Sequence, residues 1–376
     1  VSFPGRGALL IRLSLALFFW LAWLAPAWAQ EDRPAKAVTS PSTYPLWRDV
    51  PVPEKMTLCG EPIPLEDRSV YEMLDRELTI AVWDQAQVFM WLKRAGRYFP
   101  HIERRLAEEG LPDDLKYLAV AESSLIDYIG SPAGALGVWQ FMSGTGTRFG
   151  LRKDGHFDDR LSFSLSTESA IQYLKMLKSL FGTWSLALAA YNCGEGRVAQ
   201  EIQEQGVRDY YRLDLPIETE RFVFRIAAIK IVLEDPQKYG YLIPPEKIYE
   251  PIPVDRVQVD LSKEVHIAEA ARAVGTDYKV IKELNLQIRG RHLPPGRYEI
   301  LVPAGLGQRL SAFLARAGQA PAAKTGETGQ YYTVKPGDSL TAISRRTGVS
   351  VETLRRLNNI RGSHIQPGQK LRLSPP

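Results

Sequence analysis

Cysteine is nearly absent: Cys59 and Cys193 are the only two in 376 residues, too few for a disulfide framework and without the paired spacing of a zinc site. One disulfide and two free thiols both stay open, because separation along the chain says nothing about separation in space. Histidine is scarce as well, with five scattered copies and no His-Glu-x-x-His pair, so neither a metal nor a cofactor is expected. The hydrophobic share of 45% and charged share of 24% are those of a globular chain, which excludes extended disorder and a multi-span membrane protein. Charge of one sign is modest, at a net +4. That balance suits an acidic polymer as partner, a class that includes cell-wall glycan and nucleic acid.

The N-terminus carries an address. Arg6 and Arg12 precede an apolar stretch over 13–24, and Ala27-Trp28-Ala29 supplies a small-x-small cleavage pattern, so residues 1–29 read as a signal peptide. The alternative is an uncleaved segment that associates with a membrane, although the stretch is short for a spanning helix. Either way the expectation is export to the periplasm or cell envelope, and export argues against nucleic acid as the partner.

The chemistry concentrates further on. The apolar run 115–121 ends in Glu122-Ser123. A carboxyl held where water is scarce keeps its proton to higher pH, which suits a general acid; the plain alternative is a helix-end glutamate turned into solvent. Downstream, Gly134-Ala135-Leu136-Gly137-Val138-Trp139-Gln140-Phe141 sets two glycines ahead of a Trp and a Gln. Backbone can approach a ligand closely there, beside an amide that both donates and accepts. An apolar helical stretch over 184–190 then closes on Tyr191-Asn192-Cys193-Gly194, a phenol, a carboxamide and a glycine stop.

In this order and at these spacings the blocks resemble the family 1 lytic transglycosylases of glycoside hydrolase family 23, whose motifs read Glu-Ser, Gly-Leu-x-Gln and Ala-Tyr-Asn. The resemblance extends over 111–241 and takes in Ser131-Pro132-Ala133-Gly134-Ala135, Thr145-Gly146 and Leu215-Pro216-Ile217-Glu218-Thr219. It implies a mainly α, lysozyme-like catalytic domain over 69–250 acting on peptidoglycan strands. By that resemblance Glu122 protonates the oxygen between N-acetylmuramic acid and N-acetylglucosamine. It then takes the proton of the muramoyl 6-hydroxyl, which closes a 1,6-anhydro ring without consuming water. Ser123, Gln140, Tyr191 and Asn192 would hold the sugar and its acetamido group.

No second carboxylate stands at a motif position near Glu122, which suits this chemistry. A hydrolytic muramidase of the same fold and a binding protein with a decayed cleft are the alternatives. Two positions depart from the membrane-bound type of these enzymes: Phe222 replaces a tyrosine beside the acid, and Ser143 a common proline. Phe222 removes a possible hydrogen bond to Glu122. Trp139, Phe141 and Tyr117 read as core or as cleft walls.

Around that domain the organisation is modular. Residues 30–68 are dense in proline and read as an extended arm. Apolar residues at helical spacing predict a helix over 69–99 capped by Ser69 and stopped by Pro100, then helices over 112–122, 165–181, 184–191 and 220–235. Residues 331–374 change character: a strand-like Tyr332-Thr333-Val334, a turn into a helix over 335–340, a second helix ending at Asn358, and a Pro-Gly-Gln turn into a strand. That order resembles a LysM domain, a βααβ module for N-acetylglucosamine-containing glycans. The resemblance implicates Gly337, Asp338, Ser339 and Leu340 in one loop and Asn358 and Ile360 in another. Arg345, Arg346, Arg355 and Arg356 read as a solvated helix face.

The preceding segment repeats the pattern, with Gly275 matching Gly348, Leu284-Asn285 matching Leu357-Asn358, and Pro295-Gly296 matching Pro367-Gly368. Residues 251–305 thus resemble a divergent LysM segment in which Glu264-Val265-His266 replaces Gly337-Asp338-Ser339, so glycan binding is not expected of it. A helix and a linker over 306–330 join the two.

Overall fold

Asp67, not Ser69, starts the helical part of the chain, because its carboxylate accepts from the backbone N–H groups of Ser69 and Val70. The computed structural model describes residues 50–316, 331–360 and 362–373. The expected signal peptide over 1–29, most of the arm over 30–68 and the linker over 317–330 lie outside the described residues. The end of the arm forms a hairpin of β1 (Thr57–Leu58) and β2 (Glu61–Pro62). It is tied to the helices: Cys59 N–H donates to Asp114 Oδ2 at 2.6 Å, and Trp184 N–H to Glu61 Oε2 at 2.7 Å. Cys59 and Cys193 are both free thiols.

Helix α1 (Arg68–Trp83) buries Val70, Leu74, Leu78 and Val82, one residue per turn. Asp84 ends it and caps α2 (Gln85–Glu108), accepting from Gln87 N–H at 3.1 Å. The break therefore falls at Asp84, and Pro100 lies inside α2. An interior proline costs about 3 kcal/mol. Tyr98, Ile102 and Leu106 stay buried on both sides of it, and each such side chain contributes roughly 1.5–3 kcal/mol.

A turn of 3-10 helix (Asp113–Leu115) leads into α3 (Lys116–Ser123). After a looped hairpin come α4 (Ser143–Arg148), α5 (Phe163–Phe181), α6 (Trp184–Cys193), α7 (Glu195–Gln205) and α8 (Ile217–Glu234). Leu186 to Ala190 are fully buried, so α6 runs through the middle of the domain with α5, α7 and α8 packed round it, while α8 also lies along α1 and α3. Trp139, Phe141 and Tyr117 belong to this core. The indole N–H of Trp139 donates to Thr167 Oγ1 at 2.9 Å, which settles it as a packed residue and not a cleft wall.

A second hydrophobic core follows, built on β3 (Val254–Leu261), β4 (Val265–His266), α9 (Ile267–Val274), α10 (Tyr278–Leu284), β5 (His292–Leu293), β6 (Gly296–Pro303) and α11 (Gly307–Arg316). Strands β3 and β6 pair antiparallel from Val254 with Pro303 to Leu261 with Gly296. A third core holds β7 (Tyr331–Thr333), α12 (Leu340–Thr347), α13 (Val351–Asn358) and β8 (Lys370–Arg372), the βααβ order of a LysM domain.

The two small units share one internal device. Asn358 Nδ2 donates to the carbonyls of Leu354 and Arg372, and its Oδ1 accepts from Arg372 N–H. Asn285 does the same with Ile281 and Leu301. In each case one carboxamide ties the end of the second helix to the closing strand.

Two of the four arginines expected on a solvated face are half-buried and paired instead. Arg345 pairs with Asp159 at 3.0 Å and Arg355 with Glu109 and Glu168, all on the helical domain. Their partners come from residues distant in sequence, which charge patterning along one helix cannot reveal.

Candidate active site

Helix α3 is short and almost wholly apolar, and Leu118, Ala119 and Val120 are sealed in the core. It delivers Glu122 at its last turn. Ser123 is buried, and its hydroxyl donates to the Ala119 carbonyl at 3.0 Å, so it fixes the helix end that carries the acid. The backbone then turns sharply: Ser124 and Leu125 are consecutive left-handed residues, at φ 53° and 57°. Each costs roughly 1–2 kcal/mol without glycine.

Helix α2 holds that turn. Gln87 Nε2 donates to Ser124 Oγ at 2.9 Å, Arg94 Nη1 to the Ser124 carbonyl at 3.1 Å, and the Tyr98 hydroxyl to Asp127 Oδ2 at 2.9 Å. Residues 87, 94 and 98 fall on one helix face. The sequence reading missed all three; the helical spacing of polar residues on an otherwise apolar face was their signal.

Burial is the main cause that lifts the Glu122 pKa from 4.5 to about 8, with Arg225 pulling it down and Glu218 pushing it up. Glu122 as a whole residue is half-buried. Glu218, Phe222 and Arg225 occupy one face of α8, at i, i+4 and i+7. Phe222 is 1% exposed. The expectation that no second carboxylate stands at a motif position near Glu122 needs correction: the fold brings the exposed Glu218, a member of the Leu215-Pro216-Ile217-Glu218-Thr219 block, within electrostatic reach.

Tyr191 is the second group beside the acid. Burial, then the Glu122 charge, pushes its pKa well above the usual value. Its hydroxyl donates to the Trp139 carbonyl at 2.8 Å, which leaves the oxygen free to accept. Asn192 follows on α6, and its Oδ1 accepts from the buried Thr219 hydroxyl at 2.8 Å.

Gln140 arrives from the glycine-rich hairpin in a left-handed conformation, φ 46°. Its Nε2 donates to the carbonyls of Ile129 and Gly137, at 3.1 and 2.7 Å. A Cβ on Gly137 would lie 2.1 Å from the Arg160 carbonyl, so only glycine fits. Arg160, also missed from sequence, braces the hairpin by donating to the carbonyls of Gly134 and Phe141 while paired to Asp158. Among the described residues, Gln140 Oε1 and Asn192 Nδ2 have no protein partner.

Glu122, Gln140, Tyr191 and Asn192 thus belong to one domain, whereas the six LysM residues lie in another unit. There Leu340 is core, Ile360 packs against that core, Ser339 caps α12, Asn358 holds β8, and Asp338 accepts from Lys335 N–H and the Tyr332 hydroxyl. Their side chains shape the loops, and Gly337 turns one of them at φ 83°. Among the described residues no group of three or more His, Cys, Asp and Glu could hold a metal ion.

Residues 100–213 match the transglycosylase SLT domain family and residues 332–374 the LysM domain family. The chain carries an SLT transglycosylase domain and a C-terminal LysM domain. It is 32% identical over 291 residues to the membrane-bound lytic murein transglycosylase D of Escherichia coli K12, covering 74% of this chain and 63% of that protein. The chain therefore spans just under two thirds of that relative's length. Over 46 residues, 12% of this chain and 14% of the other, it is 46% identical to the N-acetylmuramoyl-L-alanine amidase sle1 of Staphylococcus aureus. The solved 70 kDa soluble lytic transglycosylase of Escherichia coli aligns at 21% identity and a TM-score of 0.33, covering 44% of this chain and 30% of that one.

Proposed function

We propose that this protein cuts the β-1,4 bond between N-acetylmuramic acid and N-acetylglucosamine in peptidoglycan and leaves a 1,6-anhydro muramoyl end. The observation that carries this reading is Glu122, a carboxyl that keeps its proton to about pH 8 because it is buried. Such a group donates its proton to the glycosidic oxygen as the bond to C1 breaks. The substrate's own acetamido group steadies the oxocarbenium-like centre. The resulting carboxylate then takes the proton of the 6-hydroxyl as that oxygen bonds to C1, so the acid is regenerated and no water is used. The free Gln140 Oε1 and Asn192 Nδ2 match the donor and acceptor of an acetamido group, and Tyr191 lies beside the acid.

Hydrolysis is the second reading, and Glu218 is the observation that favours it, since a second carboxylate within reach could activate water. Mass spectrometry of digested sacculi separates the two. Muropeptides ending in 1,6-anhydro-N-acetylmuramic acid are expected; a pool of ordinary reducing ends would make the enzyme a muramidase.

The LysM unit is read as the glycan anchor, and residues 251–305 as a divergent second copy, supported by the matching Asn285 and Asn358 bonds. Export to the cell envelope, with association through an uncleaved N-terminal segment as the alternative to cleavage, fits such a substrate.

A further inference from the structure

The LysM unit is docked on the helical domain. Between its loops at 337–340 and 362–365 and the side of α5 lies a cavity of about 470 Å³. Asp338, Ser339 and Ser363 border it from one side, and Gln172, Lys175 and Met176 from the other. The last three stand at i, i+3 and i+4 and so share a helix face. The arrangement is held by directional bonds: Gln172 Nε2 meets Thr341 Oγ1 at 3.4 Å, Arg345 meets Asp159 at 3.0 Å, and Arg355 meets Glu109 and Glu168.

We propose that α5 supplies a wall of the module's ligand site, and that the ligand is a glycan strand that carries carboxylates. The inference rests on the glycan-anchor reading of the module given above. Gln172 offers an amide to a sugar's polar groups, Met176 an apolar surface to a sugar face, and Lys175 a cation. At the junction Arg104, Arg105, Lys175 and Arg355 face Glu108, Glu109 and Glu168. Lys175, paired with Glu109, is the member that borders the cavity, and the Asp338 carboxylate there is matched by Arg346, so four positive charges against three leave one in excess. A neutral N-acetylglucosamine polymer leaves that charge unanswered. The lactyl or peptide carboxylates of a murein strand answer it. Anchor and catalytic domain then grip one strand together.

The test uses the full chain with Glu122→Gln, which stops cleavage, and measures binding to isolated sacculi and to chitin oligosaccharides at two salt concentrations. Lys175→Gln should weaken sacculus binding roughly fivefold and flatten its salt dependence, with chitin binding unchanged. Lys175→Arg should bind as the parent does. Gln172→Ala should weaken both ligands, and Ser363→Trp, which fills the cavity from the module's side, should weaken both further. If Lys175→Gln and Gln172→Ala bind like the parent while Ser363→Trp does not, the α5 wall is overturned and the anchor reading stands. If Ser363→Trp also binds like the parent, the anchor reading fails and takes the inference with it.

Discussion

Glu122 owes its proton to the scarcity of water more than to its neighbours, since Arg225 and Glu218 pull in opposite directions and burial comes first. The unfolded chain titrates near 4.5 and the folded one near 8, so over that window the folded state holds a proton the unfolded state has lost. The stability tied to Glu122 is full below the lower value and is lost as pH rises through the upper one. Glu122→Gln, neutral throughout, should therefore melt above the parent at about pH 9 and level with it at about pH 4. Equal melting at the alkaline pH would rule out burial as the cause. The same proton governs catalysis: activity should fall on the alkaline side near pH 8, and Glu122→Gln should lose on the order of 10²-fold or more in sacculus turbidity assays. Phe222→Tyr is the finer probe. A hydroxyl that donates to the ionised carboxylate lowers its pKa and moves the alkaline limb toward acid by less than about one pH unit, the worth of ~1 kcal/mol. A limb that stays put means the hydroxyl does not reach Glu122.

At the scale of elements, α3 places the acid but α2 fixes the turn that follows it. Removing Arg94 takes from the Ser124 carbonyl its one side-chain donor among the described residues, and two left-handed residues can then relax. Arg94→Ala should lower kcat by about tenfold with KM little changed, since small displacements of a reacting group are costly; an unaltered kcat would leave the turn self-supporting. Asn285→Ala removes three bonds made by a buried side chain and leaves Leu301 N–H without its partner, so a loss of about 2–3 kcal/mol in denaturant melts is expected. Much of this level was legible. The apolar run ahead of Glu122 announced both helix and buried acid, and the Leu-Asn repeat announced two similar units before their shared bonds were visible. Pro100 misled because burial on both sides of it outweighs its local penalty, and Asp84, with no proline or glycine to mark it, is where the chain breaks. Glu218 was legible as a motif member and illegible as a neighbour, since only the packing of α8 on α3 brings it to the acid.

For the whole molecule, the decisive contacts join units far apart in sequence. Arg345 and Arg355 look like ordinary surface charges along their helices, and only folding shows Asp159 and Glu109 opposite them. Neither carboxylate depends on the module alone, because Asp159 also meets Arg152, and Glu109 also meets Arg105 and Lys175. Nor does any described residue over 331–373 bond to Glu122, Gln140, Tyr191 or Asn192. A chain ending at residue 316 should therefore keep its helical domain and cleave a short soluble glycan at nearly the parent rate. On insoluble sacculi the outcome should differ, because an anchor raises the effective concentration of the cleft near the next bond without touching the chemistry. Retention should weaken and digestion slow, as read by cosedimentation and by turbidity. Equal loss on both substrates would mean that the docked module supports the catalytic fold, and undiminished retention would move glycan binding to residues 251–305 or to the cleft itself.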